Sequence, residues 1–141
     1  VDDLGLSNRV TFHGWVPADQ ISSLISASRA VVFPSVWHEP AGLVSLEAAA
    51  HGRALIASRV GGIPEYATEA NAIFVSPNDT AGLTEAMQEL ASNPDRAAQL
   101  GQNGRTLARS RFAMNDFLDQ LDAVYRSLIH ETMRNTCVTI S

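Results

Sequence analysis

Short apolar runs alternate with amphipathic stretches over the first half of the chain. Runs rich in β-branched and aromatic residues predict strands at 9–14, 30–35, 54–58 and 72–77. Between the first two runs, residues 16–29 place apolar side chains at helical spacing, with Pro17 near the start. The run AVVFPS at 30–35 is uninterrupted, which is typical of a strand covered on both faces.

The second half of the chain has a helical pattern. After a helix at 42–51 that ends at Gly52, three more helices are expected. Asp79 or Thr80 caps the first, the second covers about 95–110, and the third covers about 115–133 with one apolar face. The tail at 135–141 is polar and β-prone, and we expect it to lie outside the helices.

Strand–helix alternation of this kind predicts an α/β fold, a Rossmann-like parallel sheet with helices on both faces. Ligands of such sheets bind beyond the carboxyl ends of the strands. The four expected strands are followed by the loops HGWVP, PSVWHEPAG, SRVGGIPE and SPND. We therefore expect these loops to line any site.

Composition narrows the possible functions. A length of 141 residues and 45% hydrophobic content suit a single domain with a real core. The net charge of -5 argues against a nucleic-acid partner, since such partners favour basic surfaces. The sequence shows no apolar run of the roughly 18 residues needed to span a membrane, and no metal-ligand spacing such as H-E-x-x-H.

Two glutamates stand out in the second loop and the helix after it. Glu39 lies in the loop, and Glu47 interrupts the otherwise apolar helix LVSLEAAA, which we expect to be buried. A buried carboxylate needs a partner. At the helix start, the amides of Gly42, Leu43 and Val44 lack intrahelical acceptors and form an anion site. A diphosphate there would leave one carboxylate near each end of a nucleotide-sugar.

The segment FPSVWHEPAGLVSLEAAAHGRALIASRVGGIPE resembles the donor-binding domain of retaining GT-B glycosyltransferases of family 4. That family shows Pro-Ser, an E-x7-E motif, an Ala-rich helix, a glycine, a strand and Gly-Gly in this order. The E-x7-E spacing alone is weak, whereas the ordered set is specific. The resemblance extends over nearly the whole chain, from NRVTFHGWVP to the closing helices.

The resemblance implies a role for each motif residue. Glu39 is similar to the catalytic glutamate at the donor sugar, and Glu47 to the glutamate that binds the ribose hydroxyls. The remaining implied donor-binding residues are Ala41, Gly42 and Leu43 at the diphosphate, Gly61 and Gly62 beside the phosphates, and His13 and Gly14 at the base. The substrate would be a UDP-, GDP- or ADP-sugar, and the transfer would retain anomeric configuration without cofactor or metal.

Two departures from the family pattern shape our expectations. The family's Gly-Phe-Gly after the first glutamate is Pro40-Ala41-Gly42 here, which reshapes the sugar pocket. We find no match in these residues to the first strand and helix of the family's donor domain, which carry an Arg and a Lys. We also find no match to the family's N-terminal acceptor domain. We expect residues 1–141 to form a single domain that is inactive alone. The full enzyme would be cytoplasmic or membrane-peripheral. We also expect the domain to self-associate through an exposed sheet edge.

Each of these residues also has a simpler, purely structural interpretation. Glu47 can pair with His51, Glu39 can be a solvated loop acid, and Gly61-Gly62 can be only a turn. At the level of the whole chain, one alternative is a sugar-nucleotide epimerase of similar architecture. The other is a non-catalytic α/β binding module.

Overall fold

The computed structural model describes the backbone of residues 1–137 and the side chains of residues 1–129. Three parallel strands form one sheet in the order β1-β2-β3: β1 (Ala30–Phe33), β2 (Ala54–Ser58) and β3 (Ala72–Val75). Ala30 pairs with Ala54, and Leu55 pairs with Ala72, at the starts of the ladders. The predicted α/β fold with a parallel sheet is therefore confirmed.

Helices connect and follow the strands. Those in the described residues are α1 (Ala18–Ala27), α2 (Leu43–Ala50), α3 (Ile63–Tyr66), α4 (Thr80–Ser92), α5 (Pro94–Arg111) and α6 (Met114–Cys137), after a 3-10 turn at Asp2–Leu4. The side chain of Asp79 accepts the amide of Gly82 at 2.9 Å and so caps α4, as predicted. Helix α6 reaches Cys137, so 135–137 are helical against expectation, and 138–141 lie outside the described residues.

The helices cover both faces of the sheet. On one face, α4 and α5 pack against β2 and β3 through a cluster of Ala54, Ile56, Val75, Ala86, Leu90, Ala97 and Leu100. On the other face, α2 and α3 pack through Ala48, Leu55, Ala57, Ile63, Ala67 and Ala72. Both crossovers, β1-α2-β2 and β2-α3-β3, thus lie on one side, as expected for sequential parallel strands joined with one handedness. Strand β2 is buried along its whole length.

Two strand predictions need correction. Residues 9–14 form no strand, and Phe12 is 79% exposed. A strand exists only through pairing, and this segment pairs with none of the three strands in the described residues, so its β-rich composition joins no ladder. Strand β1, predicted to be covered on both faces, is an edge strand whose Val32 is 39% exposed.

None of the helices in the described part of the chain combines the length and apolarity that crossing a membrane requires.

Candidate functional site at the carboxyl edge of the sheet

The loop between β1 and α2 is closed by an internal hydrogen bond. The hydroxyl of Ser35, two residues beyond the end of β1, donates to Oε1 of Glu39 at 2.9 Å. Ser35 is only 9% exposed and Glu39 is half-buried, whereas Val36, Trp37 and His38 between them are exposed. Glu39 is therefore not a freely solvated loop acid, because its carboxylate is held by a buried hydroxyl.

Gly61 and Gly62, which follow β2, form the seat of this loop. The amide of Gly62 donates to the carbonyl oxygen of Glu39 at 2.8 Å. A Cβ on Gly61 would lie 2.1 Å from that same oxygen, and one on Gly62 would lie 2.4 Å from the carbonyl oxygen of Pro40. Gly61 also has φ +52°, in the left-handed region. The pair is thus more than a turn, because only glycine lets the Glu39 backbone approach this closely.

Helix α2 begins beside the same glycines. Gly42 is its N-terminal flanking residue, in the left-handed conformation with φ 60°, and a Cβ there would lie 2.7 Å from Cγ1 of Ile63. No side chain caps this end. Within the described residues, the amides of Gly42, Leu43 and Val44 find no acceptor. Helix α2 therefore presents a set of unsatisfied amides next to the Glu39 loop, and their role as an anion site stays a prediction.

Glu47 is exposed, so our expectation that it is buried is wrong. The apolar helix buries only one side, at Ser45, Ala48 and Ala49. Leu43, Glu47 and Ala50, spaced by four and three residues, form an open face on which Leu43 is 60% exposed. Glu47 lies about 6 Å along the helix axis from Leu43, at about 1.5 Å per residue.

The competing pairing with His51 is not seen. Nδ1 of His51 lies 2.8 Å from the backbone oxygen of Glu47, not from its carboxylate. Across the described side chains, the Glu47 carboxylate has neither a hydrogen bond nor an ion pair. It is a charged group available to a ligand on an open surface.

His13 and Gly14 lie in the segment that precedes α1. Both are exposed, and His13 lines an open cleft of about 560 Å³ together with Trp15 and α1. This cleft and the Glu39 loop have no lining residue in common. The structure therefore brings together Glu39, Ala41, Gly42, Gly61 and Gly62, with Glu47 one helical turn away, and the placing of His13 and Gly14 at the base stays a prediction.

The one basic side chain directly after β2 is already engaged. Arg59 pairs with the carboxylate of Glu69, and its guanidinium lies 4.1 Å from the centre of the Phe74 ring. The pKa of Glu69 is lowered, first by a hydrogen bond from its own backbone and then by Arg59. Arg59 is therefore committed to the β3 side of the edge rather than to the amides of α2. Among the side chains described, no group of three or more potential ligands could hold a metal ion.

The sequence matches the family model described as "Glycosyl transferases group 1" over residues 1–107. The chain belongs to this family.

Curated relatives of known activity are consistent with the family match. The chain is 37% identical over 120 residues to alpha-maltose-1-phosphate synthase of Mycolicibacterium smegmatis, an alignment that covers 80% of this chain and 31% of the relative. The chain thus spans about a third of the length of that curated relative.

Solved structures of the family share the fold. Sucrose-phosphate synthase from Thermosynechococcus elongatus superposes with a TM-score of 0.86 at 34% identity, over 92% of this chain and 33% of that one. HepE from Anabaena, solved in complex with UDP, gives a TM-score of 0.84 at 28% identity, over 89% of this chain and 34% of that one. The predicted resemblance to GT-B glycosyltransferases is confirmed.

Sequence reasoning missed the contact made by Ser35. The Pro-Ser pair enters the prediction only as part of the motif, and nothing in its spacing indicates that the hydroxyl binds the carboxylate four residues later in a non-helical loop. The signal that was available is a hydroxyl residue directly after a strand end, at the edge where ligands of parallel sheets bind.

Proposed function

We propose that this chain binds the nucleotide-sugar donor in a retaining glycosyltransferase that transfers a sugar to an acceptor without a metal. The observation that carries the proposal is the preassembled edge site. Glu39 is fixed in its loop, the free amides of α2 stand beside it, and Glu47 is unpaired on the open face of the same helix.

Each part of the site suits one part of a nucleoside diphosphate sugar. The unsatisfied amides of Gly42 and Leu43, together with the positive end of the α2 dipole, suit a diphosphate. The free carboxylate of Glu47 suits the paired hydroxyls of the ribose, which are hydrogen-bond donors. Glu39 would then face the sugar from the loop. As the bond to the sugar breaks, the same amides would stabilise the charge that develops on the leaving diphosphate.

The solved relative supports this choice of ligand class. HepE from Anabaena has been solved with UDP and with UDP-glucose, and this chain aligns with 89% coverage in each case. We carry over only the class, a nucleoside diphosphate sugar, and keep uridine, guanosine and adenosine as candidate bases. The placing of His13 and Gly14 at the base, and of Gly61 and Gly62 beside the phosphates, stays a prediction. The amide of Gly62 already serves Glu39.

The proposal assigns transfer to a longer protein. We propose that an N-terminal acceptor domain, and a preceding strand and helix with basic side chains, complete the enzyme, which would act in the cytoplasm or at a membrane surface. The chain alone would then bind donor weakly and catalyse no transfer. Measurable sugar transfer by the purified 141-residue chain would overturn this part of the proposal.

Calorimetric titration tests the ligand class. The chain and the full gene product are titrated with UDP, GDP and ADP, then with the corresponding sugar nucleotides. We expect one base to bind, Glu47→Ala to weaken the nucleotide and its sugar conjugate equally, and Glu39→Ala to weaken only the conjugate. Absence of binding by the full gene product would refute the proposal and favour a non-catalytic module.

A further inference from the structure

Three contacts fix Glu39, and only one of them involves its carboxylate. The backbone carbonyl accepts the amide of Gly62 at 2.8 Å, and Gly61 leaves no space for the backbone to move toward it. The side chain is held by the Ser35 hydroxyl at 2.9 Å on Oε1. Without Ser35, the backbone of Glu39 would remain seated while its carboxylate could rotate.

The Ser35 hydrogen bond engages one of the two carboxylate oxygens of Glu39. Ser35 occupies Oε1, and within the described side chains Oε2 has no partner. Ser35 itself is buried two residues beyond the end of β1, which is paired along its length with β2. A buried hydroxyl near the strand end therefore holds one oxygen of a carboxylate further along the loop, and the other oxygen is left for a ligand.

We propose that Ser35 is a positioning residue, which orients the Glu39 carboxylate toward the donor sugar by occupying Oε1. The inference rests on the proposed function, since it assumes that Glu39 meets the sugar. It differs from a purely structural role for Ser35 in one respect. Loss of the hydroxyl should affect the sugar part of the ligand and leave the nucleotide part unaffected.

The test uses the full gene product and compares nucleoside diphosphate with its sugar conjugate. The pair is the one that the parent protein binds among UDP and UDP-glucose, GDP and GDP-mannose, and ADP and ADP-glucose. We expect Ser35→Ala to reduce the affinity gained from the sugar about tenfold, which is about 1.4 kcal/mol. Nucleotide affinity should stay within twofold, and Ser35→Thr, which keeps the hydroxyl, should restore most of the gain.

A second variant shows whether Ser35 acts through Glu39. In a Glu39→Ala background, Ser35→Ala should produce no further loss of the sugar-dependent affinity, because the group that it orients is gone. Ser28→Ala is the matched control, since Ser28 also donates one hydroxyl hydrogen bond, to the carbonyl of Ile25 at 2.7 Å, but lies at the end of α1. It should change neither affinity.

The outcomes separate the two proposals. If the parent binds no sugar nucleotide, both the proposed function and the role of Ser35 fail. If the parent binds and Ser35→Ala leaves the sugar-dependent gain intact, only the role of Ser35 fails. If Ser35→Ala lowers nucleotide and sugar-nucleotide affinity equally, or adds its loss to that of Glu39→Ala, Ser35 is structural and the inference is wrong.

Discussion

Replacing Gly61 with alanine should displace the Glu39 loop, because the new methyl group has no space. The added Cβ would lie 2.1 Å from the carbonyl oxygen of Glu39 and 2.7 Å from its amide nitrogen. Raising the first separation to 3.0 Å takes about 0.9 Å of backbone movement. A shift of that size breaks the 2.8 Å hydrogen bond from Gly62 and carries the carboxylate with it.

Two separable terms contribute to the loss of stability. Holding a non-glycine residue at φ +52° costs roughly 1–2 kcal/mol, and forcing an extra methyl into a packed contact costs roughly 1–3 kcal/mol more. We therefore expect Gly61→Ala to lower the free energy of unfolding by about 2–5 kcal/mol. Because a displacement near 1 Å at a reacting group costs up to about 100-fold, donor-sugar recognition should fall steeply as well.

Two other glycines supply controls for the two terms. Gly5 has φ +64° and nothing within 4 Å of a built Cβ, so Gly5→Ala tests backbone strain alone. Gly62 has φ -80° and its Cβ would lie 2.4 Å from the Pro40 oxygen, so Gly62→Ala tests the steric term alone. Urea unfolding followed by circular dichroism measures all three, and titration with the sugar nucleotide measures recognition.

The expected order of destabilisation is Gly61→Ala above Gly62→Ala above Gly5→Ala, with recognition lost only in the first two. If Gly61→Ala unfolds at the same urea concentration as Gly5→Ala and binds donor like the parent, the glycine pair does not seat the Glu39 loop. Contacts other than those with Gly61 and Gly62 would then have to hold the Glu39 loop.

Other predictions follow from the same elements. Glu47→Ala should change the free energy of unfolding by less than about 0.5 kcal/mol, because the side chain is exposed and unpaired, yet weaken nucleotide binding in calorimetry. Glu85→Ala on the exposed side of α4 is the control, and equal binding by both variants would contradict the role of Glu47. Ser45→Ala should raise the free energy of unfolding by about 1 kcal/mol in urea melts, since the Ser45 hydroxyl is buried without a partner. A free energy of unfolding below that of the parent protein would mean that the hydroxyl is hydrogen-bonded in solution. Asp79→Ala should lower the stability by about 1 kcal/mol through loss of the α4 cap, and an unchanged melt would show that the cap is replaced. Light scattering at rising concentration should show self-association through the open edge of β1, and a monomeric mass throughout would rule it out.

Features specified by local chemistry could be predicted from the sequence. The cap at Asp79, the stop at Gly52 and the buried strand at 54–58 depend on short-range signals, and each is found where it was expected. The order of the motifs also indicates the family that the comparison confirms. In these places the residue type and its immediate neighbours decide the structure.

Features that depend on distant partners could not be predicted. Residues 9–14 have strand composition, but a strand also requires a neighbour, which no local pattern reveals. The prediction that Glu47 is buried is wrong, because a high alanine and leucine content does not indicate which sides of a helix are covered. The helix in fact buries mainly its small residues Ser45, Ala48 and Ala49 and leaves Leu43 open. The Ser35–Glu39 bond depends on the path of a non-helical loop.

The loop contacts Gly61 and Gly62 through the backbone atoms of residues 39–41. Loop positions that must keep their residue can therefore be distinguished from positions that can vary. The atoms nearest to the glycine pair are the carbonyl oxygens of Glu39 and Pro40 and the Cα of Ala41, so the side chains at positions 40 and 41 are not the groups for which the glycines leave space. Substitutions at these two positions should therefore alter the surface beside Glu39 while the backbone contacts with the glycine pair are kept. Positions 61 and 62 have no such freedom, so a library built on this site should randomise the first pair and leave the second untouched.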